Sequence, residues 1–160
     1  MILKYKKVIY IKFPKINGKI FIRNYGEVIL GKNISINSSS TANPIGGDTR
    51  TTIYVGPNAK LEIDDNTGIS NSTIICYKQI KIGKHVKIGG SVKIYDTDFH
   101  SLDWSMRKQK KTDIPNNKSI TIGDYSFIGA HSIILKGVTI GEKSVIGAGS
   151  IVTKPVPANE

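Results

Sequence analysis

The stretch "IYDTDFHSLDW", residues 94–104, gathers Asp96, Asp98, His100 and Asp103. A neutral imidazole can accept a proton near working pH, because its unperturbed pKa is about 6.5. His100 is therefore a candidate general base, with Asp98 or Asp103 as the carboxylate to orient it. Asp96, Asp98 and His100 alternate, so on a strand they would share a face and mimic a metal site. Ligands from one short stretch rarely complete a metal shell, so no metal is expected. Residues 101–118, "SLDWSMRKQKKTDIPNNK", follow without periodicity. Trp104 offers an aromatic face, and Arg107, Lys108, Lys110 and Lys111 offer cations, a combination that suits a sugar and a phosphate. Asp98, Asp103, Trp104 and Arg107 are the candidate substrate contacts; a solvated lysine-rich loop is the plain alternative.

The frame around His100 is a repeat. In "SITIGDYSFIGAHSIILKGVTIGEKSVIGAGSIVTK", Ile122, Ile128, Ile134, Ile140, Ile146 and Val152 recur every six residues. Glycine follows at 123, 129, 141 and 147. Upstream, Ile82, Ile88 and Ile94 keep the same step, and the next residue in phase is His100. Ile63, Ile69 and Ile75 form another register, as do Ile22, Val28 and Ile34. This period is not that of an amphipathic helix, which wants apolar residues at i, i+3, i+4 and i+7. It predicts short strands joined by tight turns, each hexapeptide forming one side of a triangular prism. Aliphatics point inward and stack from coil to coil at the usual strand spacing of roughly 4.8 Å. The rhythmic residues suffice for roughly six coils. Residues 37–52 and 101–118 read as loop excursions, and residues 1–20 as an N-terminal extension or opening strand of a single domain spanning 1–160.

The repeat and its motifs resemble the hexapeptide-repeat acyltransferases, most closely the galactoside, maltose and polysaccharide O-acetyltransferases. The resemblance covers nearly the whole chain after about residue 20. It implies an all-β fold, the left-handed parallel β-helix, an exception to the right-handed crossover rule. It also implies acetyl-CoA as acyl donor and a homotrimer with sites between adjacent subunits. "DTDFHSLD" is similar to the segment that carries the family's general base, which places that role on His100. "GISNSTIICYKQIKIG" resembles the segment holding an asparagine at the acceptor hydroxyl or tetrahedral intermediate, which places that role on Asn71. A turn asparagine is the alternative there. "FIGAHSIILKGVTIGEKSVIGAGSIVTK" resembles the coenzyme A segment. By that match Phe127, Gly129, Ala130, Gly147 and Ala148 line the pantetheine cleft, and Thr153 and Lys154 approach the nucleotide phosphates. Family members usually continue past the position of "PVPANE" with a Gly-Asn-Pro segment and a basic tail, so either a weaker hold on the cofactor or a shortened sequence is expected. The implied reaction is direct acetyl transfer to a sugar hydroxyl in cell-surface polysaccharide synthesis. An amino-sugar amine, an antibiotic hydroxyl, or a non-catalytic scaffold are the alternatives. The fold also hosts carbonic anhydrases with three metal-binding histidines, but His85, His100 and His131 are too separated for that pattern.

The formal charge of +11 admits nucleic acid, an anionic membrane surface or phosphate-bearing substrates. Lysines scattered over outward positions read first as a solvated surface, and nucleic acid is not expected. The basic, apolar start "MILKYKKVIYIKFPKI" lacks a cleavage site for a signal peptide, and is read as an opening strand or a membrane-surface contact. No run approaches the roughly 18 apolar residues of a span. Cys76 is the single cysteine, which excludes an internal disulfide and fits a reducing, cytoplasmic setting, near the inner membrane face if the acceptor is lipid-linked. It reads as an inert buried thiol. "GAGS" lacks the third glycine of a dinucleotide fingerprint, and "GGDTRTT" lacks the lysine of a phosphate loop.

Overall fold

Six strand triplets wind into a three-sided, left-handed parallel β-helix in the computed structural model, which describes residues 2–47 and 49–160. Coil 1 is β1 (Val8–Tyr10), β2 (Lys15–Gly18) and β3 (Phe21–Asn24), preceded by the single turn α1 (Ile2–Tyr5). Coil 2 is β4 (Glu27–Leu30), β5 (Ser35–Ser38) and β6 (Thr52–Val55). Coil 3 is β7 (Lys60–Ile63), β8 (Gly68–Ser70) and β9 (Thr73–Cys76). Coil 4 is β10 (Gln79–Ile82), β11 (Lys87–Ile88) and β12 (Lys93–Tyr95). After α2 (Trp104–Arg107), coil 5 is β13 (Ile120–Ile122), β14 (Phe127–Ile128) and β15 (Ile133–Ile134). Coil 6 is β16 (Thr139–Ile140), β17 (Val145–Ile146) and β18 (Ile151–Val152). The first strands of all coils form sheet A, the second strands sheet B and the third strands sheet C, six parallel strands in each.

Side-chain alternation along each short strand puts one residue set inside the prism. The inward columns are nearly pure aliphatic. In sheet C, Ile22 pairs with Ile53, Ile53 with Ile74, Ile74 with Ile94 and Ile94 with Ile134. Each of these five is at most 3% exposed. β-branched side chains suit this stacking because their χ1 is already restricted and they fill a pleated surface.

The corners explain the glycines. A Cβ on Gly129 would collide with the backbone at Ala148 in the next coil, and one on Gly89 with that at Ala130. The third residue of many turns adopts positive φ, for example Asn66 at 63°, His85 at 59°, Tyr125 at 61° and His131 at 64°. Asparagine accepts that conformation readily; histidine and tyrosine there point outward from the prism.

Two segments leave the scaffold. The first departs after β5, passes through a 3-10 turn at Pro44–Gly46 and returns at β6. It therefore starts at Ser39, two residues later than the sequence suggests. The second departs at Thr97, which bridges to Asn117 in antiparallel fashion, so its neck lies earlier than Ser101. Of the two readings of residues 1–20, extension or opening strand, the strands favour the second. β1 and β2 are the first two sides of coil 1, with Val8 buried and Tyr10 and Ile16 packed on the core.

Candidate active site

The corner between sheets C and A carries the second excursion, and Asp96 ties it down. Its side chain is fully buried. One carboxylate oxygen accepts from the Tyr77 amide at 2.7 Å, the other from Lys78 at 2.8 Å and Gln79 at 3.0 Å. Its backbone carbonyl accepts from Lys118 N at 2.9 Å, where the excursion returns. Asp98 N donates to Asn116 O at 3.2 Å, closing the neck. Asp96 is thus an anchor under the site rather than part of a metal face, and no cluster of metal-ligating side chains occurs among the described residues.

Beyond the neck, Phe99 packs edge-on against Tyr95, and His100 projects into solvent with its side chain 68% exposed. His100 Nδ1 lies 2.6 Å from Asp113 Oδ2. The other Asp113 oxygen accepts from Ser101 N at 2.7 Å, so the carboxylate bridges ring and backbone. In the neutral ring, donation from Nδ1–H to this carboxylate leaves Nε2 as the accepting nitrogen. The His100 hydrogen bond, then the Ser101 amide, hold the Asp113 carboxyl below its ordinary range.

This corrects the orienting group. Neither Asp98 nor Asp103 holds His100. Asp98 pairs with Lys136 at 3.2 Å, fastening the neck to coil 5. Asp103 caps α2 through the Ser105 amide at 2.8 Å, and Ser105 Oγ also donates to it at 2.7 Å. Those bonds lower its carboxyl pKa. Arg107 donates to Ser101 O at 2.6 Å. Three of the four candidate substrate contacts are thus engaged in building the loop. Trp104 remains exposed, with Lys108 Nζ 4.2 Å from its ring centre.

Asn71 lies elsewhere. It occupies the corner between sheets B and C in coil 3, at φ 45°, and is fully buried. Its Nδ2 donates to Thr49 O at 2.9 Å, and Gly46 packs so closely on it that no Cβ would fit there. Its Oδ1 is buried without a hydrogen-bond partner among the described residues. The Asn71 corner and the His100 corner are separated by one prism side, six residues or roughly 20 Å of strand. One chain therefore does not bring the two residues together.

The donor candidates divide between two corners. Phe127 stands half exposed on the outer face of sheet B, above a groove of about 290 Å³ that Asn37, Ser70, Lys87 and Gly89 also line. Gly129, Ala130, Gly147 and Ala148 follow at the B–C corner. Gly129 N and Ala130 O are taken up by the coil-to-coil ladder, at 2.8 Å to Ile146 O and from Gly149 N. Gly147 differs, because a Cβ there would meet nothing closer than Ser150 Oγ at 3.7 Å. Thr153 and Lys154 are exposed beyond β18, at the C–A corner that also carries His100. His85 and His131 occupy the A–B and B–C corners, so each histidine of the chain has a different corner.

Cys76 is enclosed, and burial first, then the Asp96 charge, push its thiol far above the ordinary range. Nucleophilic acyl transfer through it is ruled out by that environment. Iodoacetamide at pH 8 is expected to leave Cys76 unlabelled in the native protein and to label it in urea; rapid native labelling, read by intact mass, would contradict the burial.

The family described as "hexapeptide repeat of succinyl-transferase" matches residues 119–154. A hexapeptide-repeat containing acetyltransferase from Vibrio cholerae is 38% identical over 61% of this chain and 54% of its own, with TM-score 0.56. A structure of it complexed with acetyl coenzyme A gives 39% identity over 61% and 52%, also with TM-score 0.56. The chain thus spans about half the length of that protein. AntD, an N-acyltransferase from Bacillus cereus solved with dTDP and coenzyme A, aligns over 96% of this chain and 79% of its own, with 19% identity and TM-score 0.68. At that identity the likeness shows the fold alone. No protein of curated function matches the chain.

Proposed function

We propose that the chain is an acetyl-CoA-dependent O-acetyltransferase acting on a sugar hydroxyl, with His100 as general base. The observation that carries this reading is the exposed imidazole held through Nδ1 by Asp113, an arrangement that in the neutral ring frees Nε2 to accept a proton. The similarity to an acetyltransferase seen with acetyl coenzyme A supports the donor. In this mechanism His100 Nε2 takes the proton of the acceptor hydroxyl as its oxygen attacks the thioester carbonyl. Asp113 steadies the imidazolium that forms. His100 then gives the proton to the departing thiolate, and no acyl group is carried by the enzyme. The donor fits the residues present: Phe127 offers an apolar face, Gly147 an uncrowded corner and Lys154 an exposed cation.

The assembly in this reading is a homotrimer. The outward side chains of sheet C include Tyr54, Ile75, Tyr95, Ile133 and Ile151, whereas those of sheet A include Glu27, Lys60, Glu62 and Lys81. The apolar face is the one to bury, and a neighbouring copy packed there would bring a second set of corners to His100. Cell-surface polysaccharide, or its lipid- or nucleotide-linked precursor in the cytoplasm, is the acceptor that Trp104 and the loop lysines suit.

Incubation with acetyl-CoA and a panel of glycans, amino sugars and antibiotic hydroxyls tests this, with thiol release and product mass as readouts. Acetyl ester on a glycan is expected, from a species of three chains in sedimentation. Product only as an amide or on an antibiotic would reject the acceptor. No thiol release with any acceptor, and no thermal shift at millimolar coenzyme A, would leave the scaffold reading.

A further inference from the structure

Residues 1–26 carry seven lysines and arginines and no acid, while the rest of the chain has a net charge of only +4. These residues build coil 1, whose β1, β2 and β3 are the terminal strands of the three sheets. The same end exposes apolar side chains: Tyr5 is 81% exposed, Ile11 67%, Ile9 55% and Phe13 54%. Beside Phe13 a hollow of about 450 Å³ is floored by Ile16 and Ile20 and rimmed by Lys19 and Arg50. Lys12, Lys15 and Arg23 are exposed around it.

We propose that this end of the prism docks on an anionic phospholipid membrane surface. Charge and apolarity coincide there, which is the signature of interfacial binding: cations meet the headgroups while short apolar side chains enter the acyl boundary. A nucleic acid would use the cations but has little for Ile9 and Ile11 to contact. A second copy joined through the same end would set two strongly positive, acid-free surfaces face to face, which is unfavourable. The inference does not depend on acetyl transfer, although it would bring a lipid-linked acceptor near the site.

Sedimentation of the full chain with vesicles tests it. Binding is expected to phosphatidylcholine vesicles containing phosphatidylglycerol, not to phosphatidylcholine alone, and is expected to weaken steeply with added salt. Each basic side chain at such a surface strengthens binding about fivefold, so Lys12→Gln, Lys15→Gln and Lys19→Gln together should weaken it about a hundredfold. These positions are exposed, and circular dichroism checks that the variant folds. Phe13→Trp supplies a second readout, an emission blue shift on anionic vesicles alone. No binding, equal binding to both vesicle types, an unweakened triple variant, an unmoved Trp emission or preferential binding of RNA would each overturn the proposal. No acyl donor is present, so the result is separate from any failure of the transfer reading.

Discussion

His100→Ala is expected to lower turnover with acetyl-CoA by about two to four orders of magnitude, the usual worth of a positioned general base, with the coil structure unchanged. The side chain is 68% exposed and supports no part of the core, so its removal leaves the prism intact. Asp113→Ala should cost about tenfold to a hundredfold in kcat, because it frees the ring without removing it. The KM for acetyl-CoA should stay near its original value in that variant. The pH sign follows from the lowered Asp113 carboxyl. A carboxyl depressed in the folded protein contributes fully above its ordinary pKa of about 3.9 and loses that contribution as pH falls through the depressed value. Asp113 is therefore ionised throughout the neutral range, and Asp113→Ala should lower the plateau there rather than create a new limb. His100→Ala with undiminished turnover would remove His100 from the mechanism; Asp113→Ala with unchanged kcat would make the contact incidental.

The prism was legible because its physics is periodic. One aliphatic every sixth residue fixes a strand, a turn and an inward column together, and six coils follow from counting; the exception is the register of Ile63 and Ile69, which ends on outward Ile75 while Ile74 takes the inward place. Coil 1 was legible only in part. Tyr10 and Ile16 continue the Ile22, Val28 and Ile34 register by two steps, but the lysines between them hid it. The break at His100 marked a candidate site because an imidazole stood where an aliphatic was due. Asp113 was not legible. It lies thirteen residues away inside an aperiodic segment, and only the antiparallel neck and α2 fold that segment back. Asp98 and Asp103 looked closer in sequence, yet a lysine of coil 5 and a helix N-terminus claim them. Burial of Asn71 depends on the other excursion closing over it, which no local pattern announces.

Asp96→Ala is expected to destabilise the protein by about 3–5 kcal/mol, the upper part of the range for a single substitution, although the residue is closed off from solvent. Three backbone amides, of Tyr77, Lys78 and Gln79, converge on its carboxylate in a buried corner. Alanine removes the one carboxylate that accepts from all three amides, and hydrogen bonds to a charged acceptor are worth about twice neutral ones. A loss of about 10 °C or more in Tm follows for a chain of this size. Asp96→Asn keeps one acceptor oxygen but turns an NH2 toward a donor, so an intermediate loss is expected. The consequence should reach His100. The Asp96 carbonyl receives Lys118 N, and Asp98 N meets Asn116 O, so the corner fixes both strands of the neck on which the imidazole stands. At a temperature where Asp96→Asn is folded by circular dichroism, kcat should still fall while KM for acetyl-CoA holds, because the imidazole proposed as base is displaced and the corners proposed for the donor, in coils 5 and 6, are not. A Tm within about 2 °C of the parent in Asp96→Ala would show that the three amides find other partners. A stable Asp96→Asn with full kcat would show that the neck keeps its place without the anchor.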